Sequence, residues 1–245
     1  MKYRLLFYTL IFMSANSAFS QKINTGWVGS FNSFTIGKKT SIHFDAQWRS
    51  DDGLRHMQTL LIRPGINYKA NDRVLVTAGY AYISNRRLFT GDTDQVVTGY
   101  SPEHRIWEQL IYTHPLAKTS LAHRFRLEQR FLSKTYTKGD KLVNDGNIYS
   151  NRFRYFLRTV VPLNGQKPFI KGVFTALQNE VMFNIGNNSH VNGRSFDQNR
   201  AYLALGYRVS KEFDIEAGYM NQYVSGRNDA FTNNHVTQLA LYCRF

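Results

Sequence analysis

The chain has 245 residues, enough for one large domain or two small ones, and it holds 18 Phe, 15 Tyr and 3 Trp against only 5 Pro. Its single cysteine, Cys243, excludes a disulfide-stapled mini-domain, and beyond residue 20 no apolar run approaches the length a membrane helix needs. A formal net charge of +14 raises nucleic acid as a partner, but the export signal described next argues against it and favours anionic lipopolysaccharide, acidic solutes or a cationic pore lining.

Lys2 and Arg4 form a short positive region, and Leu5 to Met13 an apolar stretch too short to span a bilayer as a helix. Ala18-Phe19-Ser20 fits the small-x-small cleavage rule. The sequence therefore predicts a secretory signal peptide over residues 1–20 and a single domain over residues 21–245. No cysteine follows the cleavage site, which speaks against a lipoprotein. Without residues 1–20 the chain carries 29 Lys+Arg against 17 Asp+Glu, a net +12.

Strand-like segments then recur at 25–36, 39–50, 56–69, 72–85, 102–113, 119–134, 148–162, 167–183, 197–209, 212–224 and 235–245, separated by turn chemistry. Period-two alternation is clearest in four of them. Ile42, Phe44, Ala46 and Trp48 oppose Ser41, His43, Asp45, Gln47 and Arg49. Val74, Val76, Ala78, Tyr80 and Tyr82 make one apolar face; Leu121, His123, Phe125, Leu127 and Phe131 oppose Arg124, Arg126, Glu128 and Arg130. Phe213, Ile215, Ala217, Tyr219 and Tyr223 oppose Asp214, Glu216 and Gln222. A soluble sandwich gives the same alternation with its apolar face inward, so periodicity alone does not decide between the two.

The connections favour the barrel. Short ones at Gly37-Lys38, 69–72, 113–118, 162–167 and Ser210-Lys211 alternate with longer polar ones at 50–55, 85–101, 134–147, 184–195 and 225–234. Up-and-down barrels pair short periplasmic turns with longer extracellular loops in this way. The final segment carries Thr237, Leu239, Leu241, Cys243 and Phe245 on one face and ends on an aromatic residue. It resembles the terminal signal read by the outer-membrane barrel-assembly machinery. The expected fold is an all-β, antiparallel up-and-down transmembrane β-barrel of 10–12 strands. Bacterial single-chain barrels have an even count, so twelve is favoured, with an additional strand hidden in residues 21–28; ten is the other choice.

Charge concentrates on particular strand faces. Arg124, Arg126, Glu128 and Arg130 project to one side of a strand, and Arg152, Arg154 and Arg158 to one side of the next. Glu108, Glu180 and Arg200 sit within other strands, Glu108 awkwardly sharing its side with Ile106 and Leu110. A charge on a lipid face costs a few kcal/mol near the midplane, so all of these are expected in the lumen. Two readings follow: a salt-bridged plug that fills a narrow barrel, or a cationic lining that selects anions. An outer-membrane enzyme is a third. Ser41, His43 and Asp45 share one strand face, but same-face neighbours on one strand stand about 7 Å apart, too far for a relay without a second strand. His104 and His114 are isolated, and HExxH, GxSxG and paired Cys/His metal spacings are absent. The runs at 92–94, 144–146 and Asn228-Asp229 read as solvated turns rather than calcium loops.

Several motifs together resemble an uncharacterised outer-membrane barrel family of Bacteroidetes-type bacteria, domain of unknown function 2490. They are Trp27, Arg63-Pro64-Gly65 with Tyr68, Gly79-Tyr80, Arg105-Ile106-Trp107-Glu108-Gln109 and the stretch from Arg124 to Phe131. Arg152-Phe153-Arg154, Asn179-Glu180, Asp197 to Arg200, Gly206-Tyr207 and Gly218-Tyr219 complete the set. The resemblance implies a barrel in the outer membrane of a Gram-negative envelope and assigns no catalytic residue. The expected partners are outer-membrane lipid and lipopolysaccharide, the assembly machinery through the strand ending at Phe245, and small polar or anionic solutes; no cofactor, metal or nucleic acid is expected. Two functions stay open, a small porin-like barrel with a cationic lumen and a structural or envelope-interaction barrel with a plugged one.

Overall fold

The computed structural model describes residues 20–90, 95–117, 119–139, 141–165 and 168–245. Apart from Ser20, the expected signal peptide lies outside the described residues, as does the acidic run at 92–94. Eleven strands follow in chain order: β1 (Ser20–Thr35), β2 (Thr40–Ser50), β3 (Met57–Lys69), β4 (Val74–Thr90), β5 (Val96–Leu116), β6 (Thr119–Lys138), β7 (Lys141–Pro162), β8 (Gly172–Ile185), β9 (Phe196–Arg208), β10 (Phe213–Ser225) and β11 (Phe231–Arg244). A 3-10 turn at Asp52–Leu54 lies between β2 and β3. Among the described residues no helix is long and apolar enough to cross a membrane.

The strands form where β-branched and aromatic residues recur every second position, and each meets its backbone groups by pairing on both sides. They close into one barrel in the order β1-β11-β10-β9-β8-β7-β6-β5-β4-β3-β2. Chain neighbours pair antiparallel, as β6 does with β7 from Leu121↔Thr159 to Lys138↔Lys141. Closure is different: β1 lies parallel to β11, from Ser20↔Phe231 to Ser33↔Arg244. Eleven falls within the expected ten to twelve, but the even parity does not hold. Residues 21–28 are no separate strand; they are the first half of β1, which runs unbroken to Thr35. A parallel ladder satisfies the last open edge as an antiparallel one would, so an odd count closes.

Two expected loops are strand instead. The β4–β5 pairing continues to Thr90↔Val96. The β6–β7 pairing continues to Lys138↔Lys141 after a register shift between Ser133 and Thr135. Asn144, Asp145 and Gly146 therefore belong to β7, with Gly146 taking a φ of 71° near that irregularity. The remaining connections at this end, 51–56, 186–195 and 226–230, are loops, while the opposite end carries tight turns such as Gly37 to Lys39. The two ends are called the loop end and the turn end below.

Burial is inverted relative to a soluble protein. Arg126 and Glu128 are 1% and 2% exposed, whereas Ile66 and Leu205 are 60% and 59% exposed. Polar faces point into the barrel and apolar faces point out. Two clusters of apolar side chains nonetheless sit inside: Leu61, Ala81, Ile83 and Trp107, and a larger group of Trp27, Phe174, Ala176, Tyr202, Ala204, Met220 and Val236. Both rely on glycines on the adjacent strand, Gly79 opposite Trp107 and Gly206 opposite Phe174. A Cβ on Gly79 would stand 2.4 Å from the Pro64 carbonyl oxygen and 2.6 Å from Trp107 Cζ2; on Gly206 it would stand 2.3 Å from Phe174 Cζ. The missing side chains make room for the rings.

Candidate functional site

The barrel wall alternates, so the side chains of one strand parity on each strand meet in the lumen. On β5 the inward set is Glu103, Arg105, Trp107 and Gln109; on β6 it is Arg124, Arg126, Glu128 and Arg130; on β7 it is Arg152, Arg154 and Arg158. β8 contributes Gln178 and Glu180, and β9 contributes Gln198 and Arg200.

Glu128 is the hub of the ion pairs. Its carboxylate lies 2.6 Å from Arg152 Nη2, 2.6 Å from Arg154 Nη1, 3.4 Å from Arg105 Nη1 and 4.0 Å from Arg126 Nη1. From there the network runs both ways round the wall. Glu103 accepts from Arg105 Nε and Arg130 Nε, each at 2.6 Å. Arg152 Nη1 reaches Asp197 at 2.8 Å. Glu180 gathers Arg154 at 2.7 Å, Arg124 at 2.8 Å and Arg200 at 3.6 Å. Bidentate guanidinium–carboxylate geometry of this kind satisfies charges that the interior would otherwise leave desolvated. Of the nine residues expected in the lumen network, eight are thus linked through shared carboxylates. Arg158 stands apart, paired with Glu216 and donating to Gln178 Oε1 at 2.9 Å.

Glu108 corrects an expectation. It points outward on β5, between the exposed Ile106 and Leu110, and accepts from Gln129 Nε2 at 3.2 Å. The parity of β5 is set by its neighbour Trp107, whose ring lies over the Gly65 and Gly79 window with the Arg126 guanidinium 4.5 Å from its centroid. With Trp107 inside, Glu108 must be outside. The spacing argument against His43 also changes. His43 Nε2 comes within 3.2 Å of the Asp45 carboxylate, nearer than same-face spacing alone implies. Asp45 accepts in turn from Arg63 Nε at 3.0 Å, while Ser41 Oγ accepts from Ser33 Oγ and Asn67 Nδ2. Ser41 is thereby tied to its neighbours on β1 and β3, not to His43.

Several lumen residues escape the sequence reading. Glu103, Arg105 and Gln109 alternate with outward residues on β5 and carried a readable signal. Asp197 carried none: the register shift between Met182 and Phe183 changes the parity of β9 at this point, so period-two counting sends it outward. Arg49, which the alternation of β2 placed on the polar face, is also inside. Its Nη2 donates to Gln47 Oε1 at 2.8 Å, and its guanidinium carbon sits 3.9 Å from the Trp27 ring centroid, with that of Arg200 5.2 Å from the same ring.

The lumen is filled unevenly. From Phe174 near the turn end to Met220 and Val236 farther up the wall, Phe174, Tyr202, Met220 and Val236 pack together, and toward the turn end a hydrogen-bonded ladder crosses β3 to β6: Thr77 donates to Asn67 at 2.7 Å, Gln109 to Thr77 at 3.1 Å and Arg126 Nε to Gln109 at 3.0 Å. Toward the loop end a cavity of about 550 Å³ remains, with Gln58, Arg86 and Arg87 at its mouth and Phe31, Gln178 and Tyr242 deeper. Among the described residues no group of three or more His, Cys, Asp or Glu is placed to hold a metal ion.

A closed all-β barrel with an arginine-rich lumen is the class of protein that this fold and site define. The chain belongs to the family described as "Protein of unknown function (DUF2490)", whose model matches residues 24–233 and so takes in strands β1 to β10 and the start of β11. It is also similar to an uncharacterised protein of Methylorubrum extorquens, at 25% identity over 203 residues, covering 82% of this chain and 79% of that protein. No solved structure matches.

Proposed function

We propose that this barrel lies in the bacterial outer membrane as an envelope protein whose lumen is closed to free diffusion. One observation carries the location: charged residues are buried inside while large apolar residues are exposed all round the outer wall. In water such a surface would be an aggregation liability; in lipid it is the required one. Tyr68, Tyr112 and Tyr207 lie outward toward the turn end, and Tyr100 and Tyr149 outward toward the loop end, as interfacial aromatic girdles do. Anionic headgroups, lipopolysaccharide among them, suit the basic chain, and the strand ending at Phe245 suits recognition by the assembly machinery.

Closure rests on the packed turn-end half of the lumen. The Asn67–Thr77–Gln109–Arg126 ladder and the Phe174 end of the apolar cluster fill the lumen below the arginine-lined cavity, and we read that cavity as a chamber closed on the turn-end side. This favours the plugged barrel over a porin with a cationic pore. Planar-bilayer recordings of the refolded protein test it: no steady conductance is expected at physiological salt, and regular anion-selective steps would overturn the closed lumen. Fractionation tests the location separately, since recovery of the native protein in the soluble periplasmic fraction contradicts it.

A further inference from the structure

We propose that the loop-end chamber is a binding site for a small, multiply charged oxyanion bearing phosphate or carboxylate groups. The first observation is a charge imbalance. Eleven arginines line the chamber, and the carboxylates within 4.0 Å of them number seven: Asp45, Asp51, Glu103, Glu128, Glu180, Asp197 and Glu216. Several of these carboxylates are already shared between two or more guanidiniums. At least four positive charges in the wall therefore have no carboxylate of their own among the described residues.

The second observation is a set of unmet donors. Arg49 Nε, Arg124 Nε and Arg200 Nε are buried from solvent without an acceptor. Unsatisfied buried N–H groups are uncommon in native proteins and call for a cause. Here all three belong to residues of the same wall. Arg49 is held in place by neutral groups alone, the Gln47 amide and the face of Trp27. Arg200 has its nearest carboxylate at 3.6 Å and shares it with two other arginines. An oxyanion seated between them would accept from planar guanidinium forks that are already oriented, which is the geometry that favours arginine for phosphate and carboxylate recognition.

Size sets the class. About 550 Å³ lies within the range of small-molecule sites and far below what a folded domain needs. The mouth is also basic, through Arg86 and Arg87, so the field draws anions inward. This site rests on the closed-lumen reading only in being a chamber and not a passage.

Titration calorimetry on the full-length barrel in detergent, at low salt, tests the proposal with pyrophosphate, with citrate and with sucrose as the uncharged control. Saturable binding of pyrophosphate or citrate at one per barrel is expected, with none for sucrose. Arg49→Gln combined with Arg200→Gln should weaken it at least tenfold, while Lys211→Gln, which removes a like charge from a turn-end turn, should leave it unchanged. The double variant should unfold no earlier than wild type without anion, since it relieves like-charge repulsion; that measurement separates lost binding from lost folding. No binding of either anion, or binding that survives in a folded double variant, overturns the site. A conductance trace refuting the closed lumen would leave this isotherm as it is, so the two proposals fail separately.

Discussion

Replacing Glu128 with glutamine removes one negative charge and nothing else of consequence in volume. The carboxylate accepts from Arg152 Nε at 3.0 Å and Nη2 at 2.6 Å, and from Arg154 Nη1 at 2.6 Å, with Arg105 and Arg126 beyond. Only 2% of it is exposed, so bulk water does not take its place. Breaking a buried ion pair by deleting one partner costs about 3–5 kcal/mol, because the other charge stays buried and unpaired. Four guanidiniums lose their shared anion here, in a lumen already short of carboxylates, so the upper part of that range applies. For a chain of this size such a loss lowers the thermal midpoint by roughly 6–20 °C. Denaturant unfolding of protein folded into phosphatidylcholine bilayers, followed by tryptophan emission, is the measurement. The expected result is a fall of about 3–5 kcal/mol, partly recovered in Glu128→Gln/Arg126→Gln, since Arg126 then keeps only neutral partners, the Gln109 amide and the Trp107 ring. A loss below about 1 kcal/mol, the level of a solvent-exposed pair, would mean that the network is hydrated and would refute its role as a structural plug.

Three further outcomes follow from the same geometry. Gly79→Ala forces a methyl against the Pro64 carbonyl and Trp107, and overpacking of this kind costs about 1–3 kcal/mol; Gly37→Ala, whose Cβ would meet nothing nearer than 4.0 Å, should change stability by less than about 0.5 kcal/mol. Glu108→Leu should stabilise the barrel in bilayers by up to about 2 kcal/mol, because it removes a carboxylate from the apolar outer wall; an unchanged denaturant midpoint would place that wall in water. Asp51, in the loop after β2, feels some burial that raises its pKa, but hydrogen bonds from the His56 backbone and ring and from the Arg55 amide hold it below the ordinary carboxylate range. Its stabilising contribution is then present above the unfolded value near pH 4 and lost as pH falls through the lower folded value, so the stability gap between wild type and Asp51→Asn should narrow as pH falls below about 4; a gap that does not narrow with acid would contradict this.

What was legible in the chain is what period two controls. The alternation on β2, β6 and β10 put Asp45, Arg126 and Glu216 on the polar face, and the structure puts each of them inside. What was not legible depends on breaks in the period or on the neighbouring strands. Asp197 follows a register shift that no local pattern announces. Glu108 shares charge with the lumen residues but not their parity, and only the seating of Trp107 on Gly65 and Gly79 decides which side it takes. The polar character of residues 85–101 and 134–147 read as loop, whereas long antiparallel ladders beyond the apolar belt hold most of these residues as strand. The chamber is lined by residues of all eleven strands at once, and no single segment encodes its surplus of arginine.

The parallel seam between β1 and β11 divides the ladder into two kinds of contact. Every other pairing joins strands that are neighbours in sequence and forms as a local hairpin at low cost in chain entropy. The seam joins residue 20 to residue 231 and residue 33 to residue 244, so it closes a loop of nearly the whole chain. Its last links are Phe245 N–H to the Ser33 carbonyl at 2.8 Å and Thr35 N–H to the Phe245 carbonyl at 2.5 Å, with the Phe34 and Phe245 rings stacked outside them. Because β1 and β11 run the same way, the chain enters the wall at one rim and leaves it at the other: a tag after residue 20 and a tag after Phe245 would report on opposite sides of whatever the barrel spans.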